Sequence, residues 1–211
     1  MVGNIKKGGT VKNPNIKEKI NIISSVGDKT SANNTISNYY IFKYLIPELN
    51  KILNNKFKII TFGKGNFRFD LNNFTIAKKY HFDKGFVKNY TKEFKKNHIL
   101  LLCQNSLSTK KKFIFKNQSW DYHLVHARIF DAFNNGICIV AFSENTKSMP
   151  ELKNNYNCLT GSSAKELSNC VKRIYTNIKL RKKLIINGKE TLAKFYDNKK
   201  NLNNIAKIIA S

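Results

Sequence analysis

The chain has 211 residues, of which 41% are hydrophobic, and carries a formal net charge of +25 with a pI near 10.0. That length carries one large domain with a real core. No apolar run approaches the ~20 residues of a membrane span, and MVGNIKKGGTVKNPN at the start is basic without an apolar h-region, so no secretory leader is expected.

Cys103, Cys138, Cys158 and Cys170 show no close pairing and no Cys-x-x-Cys spacing. They read as buried free thiols, with no disulfide framework, no zinc site and a reducing, cytoplasmic setting. The positive charge has two readings. One is a basic binding module for nucleic acid or another polyanion. The other is composition, because Lys, Asn and Ile crowd the whole chain. The local runs at 110–112 and 181–183 are not interleaved with the aromatic platforms that single-strand binders use.

In chain order, residues 1–18 form a flexible lead-in with Gly-Gly and Asn-Pro. The domain proper spans 19–211. INIISSVGD (20–28) is a first strand, and a polar loop leads to a helix over 35–53. Ile36, Tyr40, Phe42, Leu45, Leu49, Ile52 and Leu53 largely keep helical spacing there, and Pro47 should kink it. FKIITFGKG (57–65) is a second strand, completing a βαβ unit.

Residues 66–79 fit neither period. HFDKGFV (81–87) reads as a short strand, Asn89 as the N-cap of a short helix, and HILLLC (98–103) as a buried strand. The polar insert 104–119 has an apolar FIF centre. A helix through Arg128 and Phe133 then stops at Gly136 and delivers the chain into the apolar strand ICIVAF. A turn, a short helix, a further strand ending near Thr160 and amphipathic helices over 164–178, 180–196 and 201–210 follow. About six strands separated by helices predict an α/β, Rossmann-like, doubly wound and mostly parallel six-stranded sheet with helices on both faces. Ligands of such sheets bind beyond the carboxyl ends of the strands.

Five stretches carry a resemblance. They are IISSVGD, NYYIFKYLIPELNKI with FKIITFGKG, GFV at 85–87, RIFDAFNNGICIVAF, and PELKNNYNCLTGSSAKELSNCVKRIYTNIKLRKKL. In order and spacing the chain resembles the C-terminal, donor-nucleotide-binding domain of group 1 glycosyltransferases of the GT-B fold. The likeness runs from about Ile20 to Tyr196. It implies a glycosyltransferase half, of hexosyltransferase type, that takes sugar from a nucleotide-sugar donor. The substrate is a nucleotide-diphosphate sugar, with no metal or other cofactor expected.

Gly27, Gly63 and Gly65 would let backbone approach the ligand, and Lys29 and Lys64 follow strand ends as phosphate partners or as solvated surface residues. Phe86 and Val87 precede the nucleobase loop. Arg128 matches the basic residue before the family's "EA" motif and would touch diphosphate or sugar; otherwise it pairs with Asp131 three residues on. Asp131 matches the glutamate that holds the ribose hydroxyls. Glu151 matches the "pE" glutamate and orients its loop or contacts ligand.

The sequence departs from the pattern at His123, which occupies the place of the family's first glutamate. It is either a catalytic polar group, with Arg128, or a helix-start residue. Lys147-Ser148-Met149 likewise replace a glycine pair. GT-B enzymes also need a second Rossmann-like half for the acceptor. The expectation is therefore a half enzyme with a partner chain, an excised domain, or a degenerate relative that retains binding. Peripheral membrane contact is compatible with the charge.

Overall fold

The computed structural model describes residues 19–25, 28–103 and 127–195. The lead-in, the insert 104–119, the helix at 201–210, Gly27 and His123 lie outside the described residues. Six strands form one sheet: β1 (Ile20–Ser25), β2 (Phe57–Thr61), β3 (His81–Asp83), β4 (Ile99–Leu102), β5 (Cys138–Phe142) and β6 (Cys158–Gly161). Their order is β3-β2-β1-β4-β5-β6 and all five pairings are parallel. This is an α/β Rossmann-like fold, and its parallelism is complete rather than partial.

Alternation along each strand builds two cores. Ile20, Ile22, Phe57, Ile59, Ile99, Leu101, Val140 and Leu159 face one side. Ile23, Ile60, Leu100, Leu102, Ile139 and Ala141 face the other. Burial on both faces explains why β4 and β5 read as unbroken apolar runs. The second and third strands end earlier than their apolar runs suggest. Gly63 (φ 122°), Gly65 (φ 73°) and Gly85 (φ 57°) turn the chain out of the ladder.

The first face is covered by α1 (Ala32–Tyr40), a π-helical segment (Ile41–Leu45), α2 (Ile46–Leu53), α3 (Thr75–Tyr80) and α7 (Ala164–Thr176). The second is covered by α4 (Tyr90–Phe94) and α5 (Ala127–Asn135), with α6 (Asn145–Ser148) leading into the buried Met149 and Leu152. The last described helix, α8 (Ile178–Phe195), contributes Leu184 and Ile185 to one core and Leu192 to the other.

Pro47 does not simply kink the predicted helix. It sits in the first turn of α2, where its missing N–H is tolerated. The turn before it is widened so that the Ile46 N–H reaches the Ile41 carbonyl, five residues back.

Capping follows simple chemistry. Ser31, Asn89 and Ser163 each accept a backbone N–H in the first turn of α1, α4 and α7. At the other end of α5 the Ile137 N–H bonds the Ala132 carbonyl (2.9 Å) and the Gly136 N–H the Phe133 carbonyl (3.4 Å). With Gly136 at φ 68°, this is a Schellman stop. Asn177 ends α7 and its side chain accepts the Leu180 N–H, which separates α7 from α8.

Residues 66–79 resolve into a 3₁₀ turn, Leu71–Asn73, and α3. The phenylalanines there belong to an aromatic cluster and not to a strand: Phe67 and Phe69 stack at 5.3 Å and meet Phe42 edge-on. All four cysteines are buried and none is in a disulfide among the described residues. Among the described residues no helix is long and apolar enough to cross a membrane.

Candidate functional site

The strand order runs outward in both directions from β1 and β4, so the topological switch point lies at their carboxyl ends. Helices that lead into strands begin at this same edge. The N-termini of α4 and α5 therefore sit here, carrying Tyr90 and Arg128 on their first turns.

Backbone hydrogen bonds join the loops of this edge. The Lys29 N–H bonds the Lys64 carbonyl (3.0 Å) and the Gly63 N–H the Gly85 carbonyl (2.8 Å). The turn after β1 is thus held to the turn after β2, and that one to the turn after β3. Asp28 closes its own turn by accepting the Thr30 N–H and hydroxyl, at 2.8 and 2.7 Å. A Cβ on Gly65 would lie 2.6 Å from the Thr30 methyl. Gly65 therefore admits a neighbouring side chain of the same protein.

The sequence-derived candidates divide between the two faces of the sheet. On the second face Val87, Tyr90 and Phe130 pack against the core together. Arg128 and Asp131 lie one turn apart on α5 and interact electrostatically with Tyr90. Burial lowers the Arg128 pKa, with Tyr90 and Asp131 acting in the opposite direction. Burial raises the Asp131 pKa against the pull of Arg128. The Tyr90 hydroxyl is pushed up by burial and by the Asp131 charge, and it is buried with no hydrogen-bond partner among the described residues. Sequence reasoning placed Tyr90 only as a helix residue after the Asn89 cap. Phe86 is 69% exposed, with the Lys64 ammonium 5.2 Å from its ring centre.

On the first face Lys29 is neither solvated nor free. Its ammonium pairs with Asp83 Oδ2 at 2.5 Å, and its side chain is 3% exposed. Asp83 Oδ1 accepts the Thr61 hydroxyl (3.2 Å) and the Gly85 N–H (2.9 Å), and Thr61 Oγ1 lies 2.8 Å from His81 Nε2. A carboxylate only accepts, so Thr61 gives its one proton to Asp83 and receives the His81 Nε2–H. Burial works against the Asp83 charge, but Lys29, the Gly85 N–H and Thr61 outweigh it and hold the pKa low. Asp83, Thr61 and His81 were invisible as site residues because Lys29 follows β1, Thr61 ends β2, and His81 and Asp83 lie on β3.

Glu151 stands in the turn after Met149, where its carbonyl accepts Asn157 Nδ2 at 2.7 Å. Asn145, at the start of α6, is buried and donates to the Leu102 carbonyl (2.6 Å), tying this segment to the end of β4. The 181–183 run is not a continuous basic surface: Arg181 is buried and donates from Nη1 to the Ile174 carbonyl. Among the described residues no group of three or more His, Cys, Asp or Glu could hold a metal ion.

The sequence matches no protein-family model and no curated protein. Solved structures are similar. HepE of Anabaena, in complex with UDP and glucose, is 12% identical with a TM-score of 0.60, covering 93% of this chain and 49% of its own. Sucrose-phosphate synthase of Thermosynechococcus elongatus is 9% identical with a TM-score of 0.62, covering 93% and 46%.

The C-terminal domain of a glycosyl transferase group 1 family protein, LpcC of Francisella tularensis, is 15% identical with a TM-score of 0.55, covering 85% and 86%. The chain has the fold of one half of these glycosyltransferases. It spans about half the length of HepE and sucrose-phosphate synthase and most of the isolated LpcC domain.

Proposed function

We propose that this chain is the donor-binding half of a glycosyltransferase, taking a sugar from a nucleotide-diphosphate sugar. The acceptor would be bound by a second Rossmann-like half on another segment or a partner chain. The observation that carries this reading is the Arg128–Asp131–Tyr90 group at the N-terminus of α5, beside the switch point of a sheet shared with UDP-bound relatives.

The chemistry is direct. A guanidinium on the first turn of a helix adds its charge to the positive end of the helix dipole, and both favour a diphosphate. Partial burial strengthens that attraction by keeping water away. As the sugar–phosphate bond breaks, charge accumulates on the departing diphosphate, and Arg128 would stabilise it without a metal. Asp131, whose charge Arg128 favours against the effect of burial, would accept the ribose hydroxyls. Phe86 offers an exposed ring for the base, with Lys64 beside it. Lys29 is already neutralised by Asp83 and is left out of the phosphate contacts.

Melting the protein with UDP and with GDP tests this. At a hundredfold excess over Kd, binding to the folded state adds about 2.7 kcal/mol. For a chain of this size that is a rise in Tm of roughly 5–10 °C. Arg128→Ala should remove the rise. No shift with either nucleotide at millimolar concentration would end the reading.

A further inference from the structure

A cavity opens at the same edge as the α5 group but on the opposite face of the sheet. Its volume is about 200 Å³, and its walls include Lys29, Asp83, His81, Asp70, Phe67 and Phe69. That is smaller than the roughly 300–1,000 Å³ of pockets for drug-sized ligands.

Lys29 makes this cavity unusual. An ammonium has three donors. One goes to Asp83, and the other two have no acceptor among the described residues, although the side chain is 3% exposed. Leaving buried charged donors without acceptors is costly. Facing them are groups that can only accept or that retain acceptor capacity. Asp70 commits Oδ1 to the Asn72 N–H (2.8 Å), while Oδ2 makes no hydrogen bond among the described residues. With Nε2–H given to Thr61, neutral His81 keeps Nδ1 as an acceptor. Phe67 and Phe69 add apolar wall.

We infer that this cavity binds a neutral polyhydroxylated ligand of about one sugar ring. Hydroxyls are the groups that both accept from Lys29 and donate to Asp70, Asp83 or His81, and the rings suit the C–H faces of a sugar. A phosphate fits poorly. The lining charges are one ammonium and two carboxylates, so the walls are net negative even on a chain of net charge +25. The inference stands on Lys29 and its neighbours and does not depend on nucleotide binding at α5.

The test is a titration of the full chain with D-glucose, followed by amide ¹H–¹⁵N NMR, with inorganic phosphate in a parallel arm. The expected result is saturable shifts centred on Phe67, Phe69, Asp70 and Asp83, with a Kd in the millimolar range. Lys29→Met should weaken binding about tenfold, as loss of a charge-assisted hydrogen bond does. Asp70→Ala should weaken it severalfold while amides elsewhere stay in place.

Shifts that remain linear up to about 100 mM, or phosphate displacing glucose at these amides, would overturn the inference. Should Lys29→Met fail to fold, Asp70→Ala decides, and unchanged affinity there also overturns it. UDP shifts centred on Arg128 and Asp131 report the nucleotide reading separately, so either can fail alone.

Discussion

Lys29 and Asp83, 54 residues apart in sequence, form a 2.5 Å ion pair in which the lysine side chain is 3% exposed and the aspartate 41%. The asymmetry decides what each substitution does. Asp83→Asn strands a buried ammonium and should cost about 3 kcal/mol, the low end for breaking a buried pair, since water still reaches the site from the Asp83 side. Lys29→Met leaves a carboxylate that water, Thr61 and Gly85 can still satisfy, and should cost about 1 kcal/mol. Urea unfolding of both variants checks the order, and equal losses would contradict it.

Gly65 and Gly85 separate two effects. Both have positive φ, but a Cβ on Gly65 meets the Thr30 methyl at 2.6 Å, whereas nothing lies within 4 Å of one on Gly85. Gly85→Ala should cost about 1 kcal/mol from backbone strain alone. Gly65→Ala should cost about 1–3 kcal/mol more from the clash. Adding Thr30→Ser to Gly65→Ala should recover that excess and leave the strain.

The helix pair α5–α8 packs at Gly188, where a Cβ would fall 2.4 Å from Phe133 Cδ1. A glycine inside a helix is normally worth replacing, by up to about 1 kcal/mol. Here Gly188→Ala should destabilise by about 1–2 kcal/mol, because overpacking outweighs propensity. In a Phe133→Leu background the same change should become neutral or stabilising. A double-mutant cycle measures the coupling.

His81 gives the fold a pH dependence. Burial lowers its pKa from 6.5, Asp83 pulls it back up, and Lys29 lowers it again. The unfolded chain therefore binds the proton first. Stability is full above about pH 6.5 and falls as pH drops through the folded pKa. Asp83, with its pKa below 3.8, extends the loss further into acid. Urea midpoints should decline between about pH 7 and pH 5, and His81→Gln should flatten that slope.

The strands and their order of appearance were legible because a sheet covered on both faces leaves continuous apolar runs, as HILLLC and ICIVAF do. The Schellman stop at Gly136 and the Asn89 cap were legible because they are local. The aromatic cluster at 67–74 was not, since those rings are phased by Phe42 and Tyr39 from another helix and not by a backbone period. The burial of Lys29 was equally hidden. A lysine near a strand end looks solvated until the sheet pairs β2 with β3 and delivers Asp83. Arg128 and Asp131 were singled out by their resemblance to the family's motif, while Tyr90 joined them only through the meeting of α4 and α5.

Ile41 and Ile46 are both fully buried on the same core, though five residues apart. On a regular α-helix that separation turns by roughly 140°, enough to aim one of them at water. The wide turn acts as a phase corrector. It takes up one extra residue so that Ile46, Leu49 and Leu53 continue the stripe set by Ile41 and Leu45. A chain lacking exposed Lys43 or Tyr44 could wind regularly, because Ile46 would then follow Ile41 by four residues, about 40° apart, and α2 would keep its face on the sheet. The helix thus holds a spare residue, and a one-residue deletion at Lys43 should be tolerated far better than one inside α2, which would turn Leu53 away from the core by about 100°.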